Sequence, residues 1–523
     1  KNFLDMNKGA RRLLGAIEKK EKIAIFADYD VDGTVSASLI TIWLKNFSIT
    51  PTVYIPDREK EGFGPNYPAM KKLAQENSLI LCVDCGSDAN NALKGAFEEK
   101  TDVIIIDHHK TESKPDNAYA LINPNRFDET SELKYLCAAG VCFVFLIALN
   151  IKLRESKWFL NNNIEEPNIL NFLDLVSLGT VCDVVPLVDL NRAIVKQGLK
   201  IIKQRSNLGL KTLYDLCKIE SQPSTHDLGF KLGPRINAGG RVGKSSHGAE
   251  LLISEDPTRA YKIASDLDRF NKERQTIEHF LVEQVDSKAK KLDNYPVLVL
   301  YGENWHEGVI GIVAARMKEK YNKPTIIISL NGLMGKGSAR SIVGFDIGSN
   351  IIKAVQSGIL IKGGGHKMAG GFSIKKNKVT EFEDFIIKNY EKTKLDVSKG
   401  MNLYLDSTIA PSALNEDFYN KINILAPFGS GNNEPKFMIE NLNLINSQIV
   451  GLKHIKAILK GKDGTVFNTF TANAKDSPLE PFLTTKNKNI NIAGKMKLNE
   501  WSGEKKIEFI IEDISINQVN HPN

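Results

Sequence analysis

Three aspartates at alternating positions, Asp28, Asp30 and Asp32, close the apolar run in EKIAIFADYDVDGTVSAS, residues 21–38. Carboxylates held this close repel one another, and a divalent cation is the simplest way to offset the repulsion. The pattern also begins like an EF-hand loop. That loop needs a Glu at its twelfth position and a helix in front; here the twelfth position is Leu39 and a strand-like run comes first. A solvated acidic turn is the plain alternative. Further groups of the same chemistry follow. They are Asp84 in Val83-Asp84-Cys85-Gly86, the run Ile106-Asp107-His108-His109, and Asp183 inside the apolar run GTVCDVVPL. A charge in an apolar run is costly unless it is paired or bound to metal. Oxygen ligands with one or two imidazoles suit Mn²⁺ or Mg²⁺ better than a thiolate-seeking ion. Two such ions, about 3.5–4 Å apart, clamp a phosphodiester and activate water for in-line attack. Asp84, alone at its strand end, is the candidate for a ligand shared between them.

These residues need a scaffold that brings them together. Strand-like runs at Ile23–Ala27, Thr52–Ile55, Leu79–Val83, Val103–Ile106 and Tyr119–Ile122 alternate with helix-like segments, the first from Thr34 to Phe47. That is the signature of a parallel, doubly wound α/β sheet. Parallel strands share one direction, so the acidic and imidazole endings converge on one edge. Arg58 follows the second strand and reaches the same edge. A helix-like segment from Leu170 to Thr180 delivers Asp183, with Asp189 the better cap for the next helix.

The stretch FKLGPRINAGGRVG, residues 230–243, reads as a glycine-rich loop carrying Arg235, Asn237 and Arg241. A long helix from Asp256 to Leu292 then joins a second α/β unit, with strands Val297–Leu300 and Thr325–Ser329 around a helix from Gly308 to Tyr321. In that unit Lys336–Ser341 reads as a small-residue turn with an exposed cation. Gly363–Gly371 reads as a loop of unhindered backbone N–H groups suited to anions. Beyond Lys399, short strands at Leu403–Leu405, Phe437–Leu444, His454–Leu459, Val466–Thr471, Ile490–Met496 and Lys506–Ile511 suit a small barrel. Lys453, Lys456, Lys460 and Lys462, near Phe467 and Phe470, suit single-stranded nucleic acid, or are an ordinary solvated face. The expected domains are 1–220, 221–292, 293–398 and 399–523.

The 523 residues exceed one ordinary domain, and 42% hydrophobic with 25% charged content is globular. A net charge of +7 is compatible with a polyanionic partner. Six cysteines in apolar segments suggest reduced, buried thiols; Cys82 and Cys85 form a single CxxC with no second pair to complete a zinc site. Neither a signal peptide nor a membrane-spanning run is evident, so a cytoplasmic protein is expected. The chain begins at Lys1 rather than Met, which leaves an upstream segment open.

DYDVDG, VDCG, DHH and GTVCDVVPL, in this order, resemble the four motifs of the DHH phosphoesterase superfamily. Their wording is most similar to the RecJ-type single-strand-specific 5′→3′ exonucleases. GPRINAGGR, WHEGVIGIVA, GSARS, GGGHKMAGG and APFGSGNNEP extend the likeness through a DHHA1 domain and an oligonucleotide-binding (OB) barrel. Departures are small: Cys182 and Gly239 each stand where an Ala is common, and Asn433 where a Pro is usual.

The resemblance implies a binuclear site, Mn²⁺ before Mg²⁺, with Asp28, Asp30, Asp32, Asp84, His108 and Asp183 as ligands. It makes Asp107, His108 and His109 the catalytic group, with Asp107 or His109 orienting the scissile phosphate. Arg58, Arg235, Asn237, Arg241, Ser338, Arg340, Gly364, Gly365 and His366 would hold the nucleic acid. It further implies single-stranded DNA as substrate in recombination and repair, a RecQ-type helicase and a single-strand-binding protein as partners, and a monomer. Two other readings differ in class: a phosphodiesterase of short oligoribonucleotides or cyclic dinucleotides, which needs no barrel, and a non-catalytic DNA-binding scaffold, which needs lost ligands. A class II pyrophosphatase is disfavoured by length.

Overall fold

The computed structural model describes residues 3–58, 61–62, 64–219, 222–292, 294–393, 402–485, 489–501 and 504–516. The expected boundaries at 220, 293 and 398 fall on residues outside this set, as do Glu59 and Lys60 beside Arg58.

In the first sheet β1 (Ile23–Ala27), β2 (Thr52–Tyr54), β3 (Leu79–Val83), β4 (Asp102–Ile106) and β5 (Ala120–Ile122) pair in the order β2-β1-β3-β4-β5. Every pairing is parallel. β1 and β3 are buried along their whole length. Alternate residues supply two cores: Ile23, Ile25, Leu79 and Leu81 on one face, Ala24, Phe26, Ile80 and Cys82 on the other. Strands covered on both faces must be apolar throughout, which is why these runs stand out in the sequence. The strand order reverses between β1 and β3. A crevice opens at such a switch point beyond the carboxyl ends of the strands, and Asp28–Asp32 and Asp84 follow those two strands.

The stretch expected as a glycine-rich loop is helical. A wide π-helical turn, Asp227–Leu232, runs into the helix Gly233–Val242. Its glycines serve close packing. A Cβ on Gly233 would sit 2.5 Å from Cys182 Sγ, and one on Gly240 would sit 2.3 Å from Tyr29 Cδ2. Tertiary contact thus overrides the poor helix propensity of glycine. Gly240→Ala is expected to lower stability by about 1–3 kcal/mol through overpacking against the buried Tyr29. Gly15, in the helix Met6–Glu18, has open space around its Cα, so Gly15→Ala is expected to stabilise by about 0.5–1 kcal/mol. Thermal melts of the two variants check the contrast.

The long helix Pro257–Ala289 leads to the second sheet. β6 (Leu298–Glu303), β7 (Thr325–Asn331), β8 (Met334–Arg340), β9 (Lys362–His366) and β10 (Ala369–Lys375) pair in the order β6-β7-β8-β10-β9. Two expectations are corrected here. Lys336–Ser341 is mostly β8, an inner strand, and Gly363–His366 lies in β9, an edge strand antiparallel to β10. Small residues are required because the strand beside them is crowded: a Cβ on Gly337 would lie 2.1 Å from Phe372 Cζ.

In the third sheet β12 (Phe437–Val450), β13 (His454–Lys460), β14 (Val466–Thr471), β16 (Glu504–Ile516) and β15 (Asn489–Trp501) follow one another, and β12 pairs back onto β15. The result is a closed five-stranded barrel around Ile439, Leu459, Ile492 and Phe509. Leu403–Leu405 is not a strand; a short β11 (Ser407–Thr408) pairs with β12 instead. The barrel, with Pro186–Val188, forms one compact unit, and the remaining chain forms the other. All six cysteines are free thiols. Among the described residues no helix is long and apolar enough to cross a membrane.

Candidate metal centre

The turn after β1 is built by its own side chains. Asp30 caps the helix Val31–Lys45, its carboxylate accepting from Gly33 N at 3.0 Å. The helix therefore starts three residues before the expected Thr34. A Cβ on Gly33 would lie 2.5 Å from the Asp28 carbonyl oxygen, so the tight turn requires glycine. Asp32 lies in the first helical turn and is 1% exposed. Its two oxygens accept from Ala138 N (2.6 Å) and Ala139 N (2.9 Å), at the start of the helix Ala138–Glu155. The positive end of that helix favours the buried charge.

Asp84 follows β3 with φ 58°, and Asp107–His109 follow β4. Asp183 ends the helix Leu173–Cys182. The fold brings these groups together. His108 Nε2 lies 3.4 Å from Asp84, 3.7 Å from Asp183 and 3.9 Å from Asp32. Three sets each place one donor atom per residue within 4.8 Å of one another: Asp28–Asp30–Asp84, Asp84–His108–His109 and Asp32–His108–Asp183. Asp84 and His108 each belong to two sets. The donors fit hard divalent cations. Asp28 Oδ1 and Asp84 Oδ1 are buried without a hydrogen-bond partner, an arrangement that a cation would satisfy.

Asp107 differs from its neighbours. Its carboxylate is 1% exposed and accepts from Ser87 N, His108 N, His109 N and His109 Nδ1. Burial opposes its ionisation, but the His109 bond and charge prevail and hold its pKa well below the ordinary range. Its 2.8 Å contact with His109 Nδ1 orients that ring. His109 is half exposed, and the Asp107 bond raises its pKa to about 9.

Two residues carry no signal in the motif reading. Asn123 Nδ2 donates to the His109 carbonyl at 2.8 Å, and Asn125 Nδ2 to the His108 carbonyl at 2.7 Å. They fix the histidine loop from the end of β5. The clue in the sequence was Asn-Pro-Asn directly after an apolar strand, at the same sheet edge as the other motifs.

The expected phosphate-binding residues divide into groups. Arg58 lies over the Tyr29 ring at 5.3 Å. Arg241 and Arg340 are largely buried; burial, then Arg58 among neighbouring charges, holds both guanidinium pKa values down. Arg241 Nη1 donates to the Gly308 carbonyl at 2.9 Å. Arg58, Arg241 and Arg340 thus form a concentration of positive charge around Tyr29. Arg235 is not part of it: its Nε is paired with Asp268 at 2.9 Å and its Nη1 donates to the Lys231 carbonyl. Asn237 Oδ1 is buried without a partner.

In the second sheet Arg340, Ala369 and His366 form one cross-strand row, and Ser338, Gly371 and Gly364 form another two residues along. These two rows share a face. Gly365 belongs to the intervening row with Gly370 and Ala339 and faces the other side.

The cluster sets a pH dependence. Burial and then the neighbouring Asp30 raise Asp28 to about 7, and burial with Asp32 and Asp30 raises Asp183 to about 8. The ordinary value is 3.8. A raised acid keeps its proton in the folded state while the unfolded chain has lost it, so stability falls as pH rises from about 4 to 8. His109, raised from 6.5 to about 9, contributes stability that is also lost as pH rises through that value. The cation-free protein is therefore expected to melt lower at pH 8 than at pH 5, and Mn²⁺ is expected to flatten the difference. Melts at the two pH values, with Mn²⁺ and with EDTA, check this; a pH-independent melt in EDTA contradicts it.

Comparison with known proteins gives three family matches: the DHH family, N-terminal domain, over residues 22–180; the DHHA1 domain over 294–392; and the RecJ OB domain over 405–513. The chain is 32% identical to the single-stranded-DNA-specific exonuclease RecJ of Dickeya dadantii, over 95% of this chain and 88% of that one. It is 31% identical to the Bacillus subtilis protein of the same name, over 98% of this chain and 64% of that one. Among solved structures it resembles RecJ from Thermus thermophilus in complex with Mn²⁺. There the TM-score is 0.81 and the identity 25%, covering 98% of this chain and 72% of that one. The fold also matches the Mg²⁺ complex of the same protein, with a TM-score of 0.74 and 24% identity, covering 98% of this chain and 70% of that one.

Proposed function

The chain belongs to the RecJ family of DHH phosphoesterases, and from that premise we propose that it removes mononucleotides from the 5′ end of single-stranded DNA. It is a metal-dependent hydrolase whose cofactors are divalent cations, Mn²⁺ or Mg²⁺. The observation that supports the reading most strongly is the convergence of three carboxylate and imidazole sets on one sheet edge.

Asp28, Asp30 and Asp84 would hold one cation and Asp32, His108 and Asp183 the other, with Asp84 placed to be shared. When bound, the two cations supply Lewis-acid polarisation of the phosphate and lower the pKa of water. The protein's own groups then do the rest. Asp107 fixes the His109 ring through Nδ1, so the other ring nitrogen is left for a phosphate oxygen. A protonated His109 neutralises charge that develops there in the transition state. Asn123 and Asn125 hold the backbone that carries both histidines. Arg58, Arg241 and Arg340 receive the terminal 5′ phosphate, for which guanidinium forks are matched. Ser338, Gly364 and His366 extend that contact along the second sheet. A phosphate held at a fixed distance from the cations selects the first phosphodiester bond and gives single-nucleotide release.

A strand that must be single before it can be cut has to be exposed by another enzyme. A RecQ-type helicase and a single-strand-binding protein are therefore the proposed partners in recombination and repair, in the cytoplasm, with this chain acting as a monomer.

The test uses 5′- and 3′-labelled single-stranded DNA beside a dinucleotide, with Mn²⁺ and with EDTA. Mononucleotides leaving the 5′ end of the long strand, and lost in EDTA, are expected. Cleavage of the dinucleotide alone would move the protein to the short-substrate phosphodiesterases. Binding without cleavage would make it a scaffold.

A further inference from the structure

The wide π-helical turn Asp227–Leu232 displays an aromatic pair that the reaction described above does not use. Phe230 is 73% exposed, and its ring stacks on His226 with centroids 4.9 Å apart and planes 22° from parallel. A single exposed apolar side chain needs no explanation. This one has three features that set it apart.

It is paired with a second ring in a stack rather than standing alone. It sits on a π-helical turn, a form that is rare and concentrated at functional sites. And it is collinear with the proposed phosphate site: Phe230, Pro234, Asn237 and Arg241 are spaced four, three and four residues apart, so they line one face of the continuous helical segment. From Phe230 to Arg241 is eleven residues, about 16 Å along the axis, several nucleotides from a phosphate held at Arg241. The Asn237 carboxamide between them has its oxygen buried and unpartnered.

A flank of the same segment packs against the end of the helix that delivers Asp183. Cys182 Sγ donates to the Leu228 carbonyl at 3.5 Å. Cβ atoms built on Gly229 and Gly233 would lie 3.5 Å from Val181 and 2.5 Å from Cys182. Val181 and Cys182 are the last residues before Asp183. Phe230 and Arg241 are thus carried on one helical segment, and that segment packs against the residues just before Asp183.

We propose that the His226–Phe230 pair is a stacking platform for a nucleobase of the bound strand, downstream of the bond that is cut. This rests on the reading of the protein as a single-strand exonuclease. It adds a physical source for strand selectivity: a base offers its face to a side chain only when its neighbours in a duplex no longer cover it. Base stacking on an aromatic ring is tolerant of sequence because every base has such a face.

The experiment is steady-state digestion of a 5′-phosphorylated single strand carrying one abasic position, moved one residue at a time. Wild type is expected to show a five- to hundred-fold rise in KM at one or two neighbouring positions. Phe230→Ala is expected to show a similar rise on the intact strand and no further penalty at those positions. Phe230→Trp is expected to restore both the KM and the positional profile. An unchanged KM in Phe230→Ala overturns the platform, and so does an abasic profile identical to wild type. Failure of wild type to digest the intact strand overturns the exonuclease reading instead, so the two failures are separate.

Discussion

Asp84→Asn is expected to abolish hydrolysis while leaving the cation-free fold intact. Asp84 belongs to two of the three donor sets, and its Oδ1 is buried without a hydrogen-bond partner. Burial and then four neighbouring aspartates push its pKa well above 3.8. In the cation-free protein the carboxyl is therefore biased toward its neutral, protonated form, and asparagine is close to that neutral acid in size and shape. With the cations the case reverses, because they demand the ionised oxygen. Losing the ligand proposed to be shared between them is expected to remove several kcal/mol of transition-state stabilisation, about a thousand-fold or more in rate. Asp30→Asn touches only one donor set and is expected to cost less. Two measurements check this: turnover of single-stranded DNA in Mn²⁺, and the Mn²⁺-induced rise in melting temperature, which should vanish in Asp84→Asn. A variant that keeps more than a tenth of wild-type activity contradicts the shared role.

The convergence at the sheet edge was legible because two independent signals coincide there. Apolar runs buried on both faces mark the parallel strands, and parallel strands deliver all their endings to one side. The misread segments have a common cause. In GPRINAGGR, GSARS and GGGH the glycines suggest turns, since glycine permits positive φ. In the fold, Gly240 is small because Tyr29 presses on it, and Gly337 because Phe372 does. Sequence alone does not separate a glycine chosen for its backbone from one chosen for its missing side chain.

Arg235 and Arg241 pose the same problem. They lie six residues apart in one motif, yet Asp268, more than thirty residues on, engages the first and leaves the second among cations. Asn123 and Asn125 were missed because their work is done on backbone carbonyls, which no side-chain pattern reports. Closure of the barrel depends on β12 pairing with β15, a contact between strands far apart in the chain.

Arg340→Ala is expected to raise KM for a 5′-phosphorylated strand about ten- to hundred-fold and to remove most of the discrimination between 5′-phosphate and 5′-hydroxyl ends. Arg340 Nη1 donates to the Ala339 carbonyl at 2.9 Å and to Ser338 Oγ at 3.3 Å, which aims the guanidinium without neutralising it. Burial and the nearby Arg58 hold its pKa below the ordinary value, and a bound phosphate would offset that repulsion. A charged hydrogen bond is worth about 1.5–3 kcal/mol, or roughly one to two powers of ten in affinity. The salt dependence offers a second readout. Each phosphate contact on a single strand contributes a slope of about −0.7 in log K against log[salt], so the variant's slope should be shallower by about that amount. Arg235→Ala is the contrast. Its guanidinium is paired with Asp268, so its loss should lower thermal stability and leave the end discrimination unchanged. If Arg340→Ala kept the full preference for a 5′ phosphate, or if Arg235→Ala abolished it, the terminal phosphate would have to be held elsewhere on the molecule.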